Sequence, residues 1–149
     1  MMKVNLHSGE NTRDAYSNLD VRETNNPSSR KVENYSLMEY PANEIAELIA
    51  HAGTLESMER NEVIESLKSW HERISVGGSL KISFVESKKI ANAFCYNNID
   101  LVTYESHLIS SKSMHSMFEI RSTLISLGFK IKTCDFSIND YIGTIHAEK

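Results

Sequence analysis

Six histidines, at positions 7, 51, 71, 107, 115 and 146, are the side chains here best suited to hold a metal or move a proton. No two of them stand in an H-x-x-x-H pair, so the spacing gives no metal site, and surface or helix-face roles suffice for most. The two cysteines, Cys95 and Cys134, lack C-x-x-C spacing and read as reduced, buried residues of a cytoplasmic protein. Carboxylates carry more chemistry. Asp20 closes a short apolar run, Tyr16 to Val21, and reads either as a hydrogen-bond acceptor at a strand end or as a solvated carboxylate. Glu56 either orients a substrate or begins the following helix, where its charge suits the dipole; the second reading is preferred.

The elements that must position these groups are clearest between Asn61 and Phe84. Val63, Leu67, Trp70 and Ile74 recur at three- and four-residue steps and form one apolar stripe, with Glu62, Glu65, Lys68, Glu72 and Arg73 on the other faces. Gly77 and Gly78 stand where a helix end needs residues that tolerate positive φ, and Leu80, Ile82 and Phe84 then alternate with Lys81 and Ser83 as a strand does. Upstream, Lys3 to Leu6 and Tyr16 to Val21 are short strand candidates. Too few residues separate them for the ~10–12 that a helical crossover takes, so the first crossover helix is shortened or missing. Thr24 to Arg30 reads as a loop, Tyr35 to Met38 as a third strand, Asn43 to Glu47 as a helical turn and Glu47 to His51 as a buried strand.

Downstream, Ser87 to Phe94 is helical and broken at Asn97-Asn98, while Ile99 to Tyr104 is ambiguous. Met114, Met117, Phe118, Arg121, Leu124 and Ile125 repeat at helical spacing up to Gly128, and their apolar members read as core. Phe129 to Phe136 and Tyr141 to Ala147 pair across a turn as a terminal antiparallel hairpin. This alternation predicts an α/β fold of one domain over residues 1–149: a three-layer, mostly parallel sheet with helices on both faces. A net charge of −4 without a basic stripe disfavours nucleic acid as an obligatory partner, and no stretch approaches the ~20 apolar residues of a membrane helix.

The ordered segments resemble the small class I S-adenosylmethionine-dependent methyltransferases. VNLHSGE followed by YSNLDV is similar to the first and second strands of that family, written around L-N-L-G-C-G and Y-I-N-V-D. YSLMEYP resembles the segment after its third strand, AELIAHAGTLESM its D-E-I-x-x-x-H-x-L-E-H stretch, and SLKSWHERISVGGSLKIS its helix, K-P-G-G turn and fifth strand. HSMFEIRSTLISLGFKIKT with DYIGTIHAEK looks like the last helix and closing hairpin. The resemblance implies a Rossmann-like methyltransferase sheet whose cofactor, S-adenosylmethionine, lies outside the carboxyl ends of the strands. His7, Ser8, Gly9 and Glu10 would form the turn under its methionine portion, and Asp20 would accept from the ribose hydroxyls. Leu37 and Met38 would sandwich adenine beside Ser36, and His51 and Ala52 would face the sulfonium and the incoming acceptor.

The sequence departs from this pattern at ligand-facing positions: His7 replaces the first family glycine, Ser36 and Ala46 replace acids, and Ser57 replaces the histidine of L-E-H. The expected activity is methyl transfer to an acceptor that the sequence does not name, with no catalytic side chain assigned and with room left for a protein partner. A degenerate methyltransferase-like domain acting as a binding or assembly module is the alternative. A nicotinamide-dependent oxidoreductase is weaker, since no G-x-G-x-x-G opens a first helix. At His51 a loop histidine satisfied by backbone is preferred over a catalytic base. Ile99 to Ser113 is the candidate acceptor-side segment.

Overall fold

The computed structural model describes residues 1–149. Its strands are β1 (Met2–Leu6), β2 (Ser17–Asp20), β3 (Ser29–Lys31), β4 (Ile45–Ala50), β5 (Ile74–Val85), β6 (Lys130–Phe136) and β7 (Ile142–Glu148). Four helices, α1 (Arg60–Arg73), α2 (Ser87–Cys95), α3 (Leu101–Ile109) and α4 (Met117–Ser126), all fall after β4. The strands form one sheet in the order β3-β2-β1-β4-β5-β7-β6. Every pairing from β3 to β5 is parallel, and β7 runs antiparallel to both β5 and β6. The expected α/β class, mostly parallel sheet and closing hairpin are therefore present.

The sheet has one dry face. Leu80, Ile82 and Phe84 of β5 are buried with Ile145 and Ala147 of β7 and with Val4, Leu6 and Leu48, and they join Val63, Leu67, Trp70, Ile120 and Leu124 of α1 and α4 in one core cluster. The alternate residues of the paired strands, Lys81 opposite His146 and Ser83 opposite Thr144, are polar and only half-buried. Side chains alternate across a strand, so these point away from that core. No helix precedes β4: β1, β2, β3 and β4 are joined by loops alone. The first crossover helix, expected to be shortened or missing, is absent.

A tethered loop covers part of the second face. Asn5 Nδ2 donates to Asn11 O (2.9 Å) and to Asn18 Oδ1 (2.8 Å). Asn18 in turn accepts from Arg13 N–H and donates to Arg13 O, both at 3.0 Å. Both asparagines and their neighbour Ile49 are buried, and Ile49 stands outside the main core cluster. Two buried amides thus hold loop 8–16: Asn18 is satisfied by the backbone of Arg13, and Asn5 donates to Asn11 O while its own Oδ1 is buried without a hydrogen-bond partner.

Several boundaries differ from expectation for identifiable reasons. The third strand is Ser29–Lys31, not Tyr35 to Met38. In that segment Trp70 Nε1 donates to Tyr35 O (2.6 Å), the Ser69 hydroxyl donates to Ser36 O, and Leu37 has φ 58°, so α1 takes the carbonyls a ladder would use. β4 begins at Ile45, two residues after Asn43 with φ 60°, in place of a helical turn. Helix α1 ends on extended Ile74, already paired with Ile45, and Gly77 and Gly78 lie inside β5. There β4 advances two residues while β5 advances five, an irregularity that Gly77 accommodates with φ 77°. Phe118 is 73% exposed, so the core side of α4 is Ile120 and Leu124. The ambiguous Ile99 to Tyr104 segment enters α3, capped by Asp100 accepting from Thr103 N–H at 2.7 Å. Both cysteines are exposed, Cys95 on the last turn of α2 and Cys134 on edge strand β6.

Candidate functional site

The parallel register aligns the carboxyl ends of β1, β2 and β4: Leu6 pairs with Leu19 on one side and Ala50 on the other. Just past those ends the chain turns, and the turns enclose a cavity of about 540 Å³ lined by His7, Ser8, Gly9, Glu10, Asp20, His51 and Ala52, together with Arg22 and Thr24. Its size lies within the range of small-molecule sites, and its place at the strand ends is where open α/β sheets hold ligands. A second cavity of about 330 Å³ adjoins it, sharing His7 and Arg22 and reaching Gly53, Glu56, His107, Ser110 and Ser111. The end of α3 and the residues just after it thus meet the crevice.

Three predicted residues lie elsewhere. Ser36, Leu37 and Met38 line a separate cavity of about 370 Å³ with Leu19 and Val32, where Leu37 is almost fully buried and Met38 is 67% exposed. Their segment is bound to α1 rather than to β2, so no apolar pair stands ready beside Asp20 to sandwich an aromatic base. Ala52 is the one hydrophobic residue lining the larger cavity.

Asp20 is the electrostatic centre of the site. Its side chain is fully buried. Oδ2 accepts from Gly9 N–H (2.9 Å) and Arg22 Nη2 (2.7 Å), and Oδ1 accepts from Arg22 N–H and Nε, each at 2.9 Å. Burial pushes its pKa up, but the Arg22 and Gly9 hydrogen bonds outweigh that and hold it down at about 2. With the Tyr35 hydroxyl 3.4 Å from Oδ1, five donors surround a carboxylate that offers roughly four lone-pair positions. Arg22, two residues downstream, was not among the expected site residues; an arginine two positions past a strand-end aspartate is the signal that would have found it.

His7 sits in the left-handed region, φ 55°, at the position where the resemblance implies glycine. Its Nδ1 lies 2.9 Å from the Tyr35 hydroxyl, which accepts from Val21 N–H (3.1 Å) and reaches Asp20 Oδ1 at 3.4 Å. Burial first, then the Arg22 charge, lowers the imidazole pKa to about 4, so the ring is neutral near pH 7. On its far side stands Gly53, at φ 100°. His51 is also pushed down by burial and by the charges of Arg13 and Lys81, and its Nε2 is buried without a hydrogen-bond partner, so backbone does not satisfy it as expected. Glu56 does not begin α1. It is buried, accepts from Gly53 N–H (2.8 Å) and Val85 N–H (2.6 Å), and burial raises its pKa. Its role is to staple the β4 turn to the end of β5.

These residues fit an S-adenosyl cofactor at two of its parts. The Gly9 turn and the ionised Asp20 suit its aminoacyl and ribose portions, and the orphaned His51 Nε2 offers an unfilled polar contact. Arg22 stands on the carboxylate that the ribose would use.

No protein-family model matches the sequence, and no curated protein matches it. Among solved structures, a SAM-dependent methyltransferase from Archaeoglobus fulgidus superposes with TM-score 0.73 at 12% identity, covering 99% of this chain and 86% of that one. An S-adenosylmethionine-dependent methyltransferase from Mesorhizobium loti gives TM-score 0.69 at 13% identity, with 99% and 90% covered. A Haloferax volcanii complex between the Trm112 methyltransferase activator and a proposed methyltransferase gives TM-score 0.66 at 10% identity, with 99% and 81% covered. At such identities the likeness is one of fold. No helix is long and apolar enough to cross a membrane.

Proposed function

We propose that the crevice at the ends of β1, β2 and β4 binds S-adenosylmethionine and that the chain transfers its methyl group to an acceptor entering from the α3 side. The observation that carries this reading is the buried, ionised Asp20 at the end of β2, bonded to the Gly9 turn. The fold likeness and the ordered sequence resemblance support it. When bound, the cofactor supplies a methyl group activated by a sulfonium. Asp20 would hold the ribose hydroxyls, the turn from His7 to Glu10 would seat the aminoacyl end, and His51 and Ala52 would border the path to the acceptor. In-line transfer asks mainly for alignment of the reacting atoms, so no side chain here is given the role of a base.

Isothermal titration with S-adenosylhomocysteine tests the reading. Binding to the wild type that is weakened at least tenfold by Asp20→Asn supports it. Absence of binding in the wild type, in Asp20→Asn and in Arg22→Ala would sink it.

The second reading, a methyltransferase-like binding or assembly module without activity, is favoured by the Arg22 pairing on Asp20 and by the imidazole at position 7. Helix α3 supports a protein partner for either reading: it buries no residue and exposes Leu101, Val102, Leu108 and Ile109. The Haloferax volcanii complex is a precedent for such assembly. Exposed, unpaired cysteines suit the reducing cytoplasm.

A further inference from the structure

We infer that Arg22 is a latch on the ribose position: its guanidinium competes with an incoming ribose diol for Asp20 and keeps the cofactor site closed until displaced. The inference rests on the cofactor reading above.

The geometry of the pair is specific. Arg22 Nε and Nη2 take one lone-pair position on each oxygen of Asp20, at 2.9 and 2.7 Å, while backbone N–H groups of Arg22 and Gly9 take the others. A vicinal diol needs acceptor positions facing the cavity, and the backbone donors are fixed by the fold. Tyr35, whose hydroxyl also reaches Oδ1, is fully buried, so the guanidinium is the donor set that can leave. Its side chain is 54% exposed, against 0% for Asp20, so it can rotate into water. It also has somewhere to go, because Arg22 lines both the larger cavity and the adjoining one beside Ser110 and Ser111.

Removing the latch leaves Asp20 supported. Any residue except proline at 22 still donates its backbone N–H, and Gly9 N–H and the Tyr35 hydroxyl stay in place, so the carboxylate keeps three of its five partners. An open state populated at about 1–10% would tax the apparent affinity by the same factor, so unlatching should tighten binding about 10- to 100-fold. An arginine that contacts the ligand directly would behave in the opposite way.

The experiment is titration of S-adenosylhomocysteine into wild type, Arg22→Ala, Arg22→Gln and Asp20→Asn, each checked by circular dichroism. The latch predicts tighter binding by at least tenfold in Arg22→Ala, an intermediate gain in Arg22→Gln, and weaker binding in Asp20→Asn. Should Arg22→Ala not fold, the gain in Arg22→Gln decides, since glutamine keeps the stem and a donor without the charged fork. Wild-type binding that is unchanged or weakened in the Arg22 variants overturns the latch and leaves the cofactor reading standing. Absence of binding in every variant overturns both.

Discussion

The imidazole of His7 fills the space that a side chain on residue 53 would need: a Cβ built on Gly53 would stand 2.7 Å from His7 Cδ2 and 3.1 Å from Cε1. The two turns that follow β1 and β4 are therefore a matched pair, one carrying a ring where the resemblance implies none and the other carrying none where the ring must lie. Gly53→Ala should destabilise by about 2–4 kcal/mol, from this overlap and from its φ of 100°. In a His7→Gly background, urea denaturation should show that cost reduced by more than about 1 kcal/mol; an unchanged cost would mean that backbone strain alone sets it.

His7 also sets a pH window. Its folded pKa of about 4 lies below the ordinary 6.5, so the folded state binds fewer protons than the unfolded chain between those values. The stability it contributes is full above pH 6.5 and is lost as pH falls towards 4. With solvent screening of a half-buried ring, the loss should be about 1–2 kcal/mol. His7→Gln should flatten the stability profile in that window, and an equally steep profile in the variant would assign the titration to another group.

Asp20 acts lower on the scale. Its carboxyl is depressed from 3.8 to about 2, so its contribution is complete above pH 3.8 and disappears as pH falls through 2. The stake is about 2 kcal/mol. Acid unfolding of Asp20→Asn should be shallower than that of the wild type below pH 4.

Asn18→Ala should release loop 8–16. The substitution removes the amide that accepts from Arg13 N–H and Asn5 Nδ2 and donates to Arg13 O, at a cost of about 1–3 kcal/mol. Amide exchange should speed up across residues 9–15 while residues 80–84, inside the core strand β5, stay protected. Uniform acceleration would indicate loss of the whole fold instead.

What the sequence made legible follows from periodicity. The stripe of Val63, Leu67 and Trp70 and the alternation of Leu80, Ile82 and Phe84 survive intact in α1 and β5. The glycine pair misleads about the helix end because sheet pairing at Ile74, not a positive φ, stops the helix. Ser29–Lys31 hides as a strand because an edge strand paired only through its backbone needs no apolar residues, whereas Tyr35 and Leu37 read as strand because they are buried for another reason, packing under α1. In the site, residues just past strand ends were readable from element order. Arg22, Tyr35 and Gly53 were not, because their roles depend on how separate turns meet.

The polar face of the sheet governs how this chain can change. With one dry side, β5 and β7 need apolar residues only at alternate positions, so a saturation scan should return stripes: tolerance at Lys81, Ser83, Thr144 and His146, intolerance at Leu80, Ile82, Phe84 and Ile145. Those tolerant positions also act as a ratchet. A helical layer could cover them only after several turned apolar together, and each such step taken alone would leave a greasy patch in water.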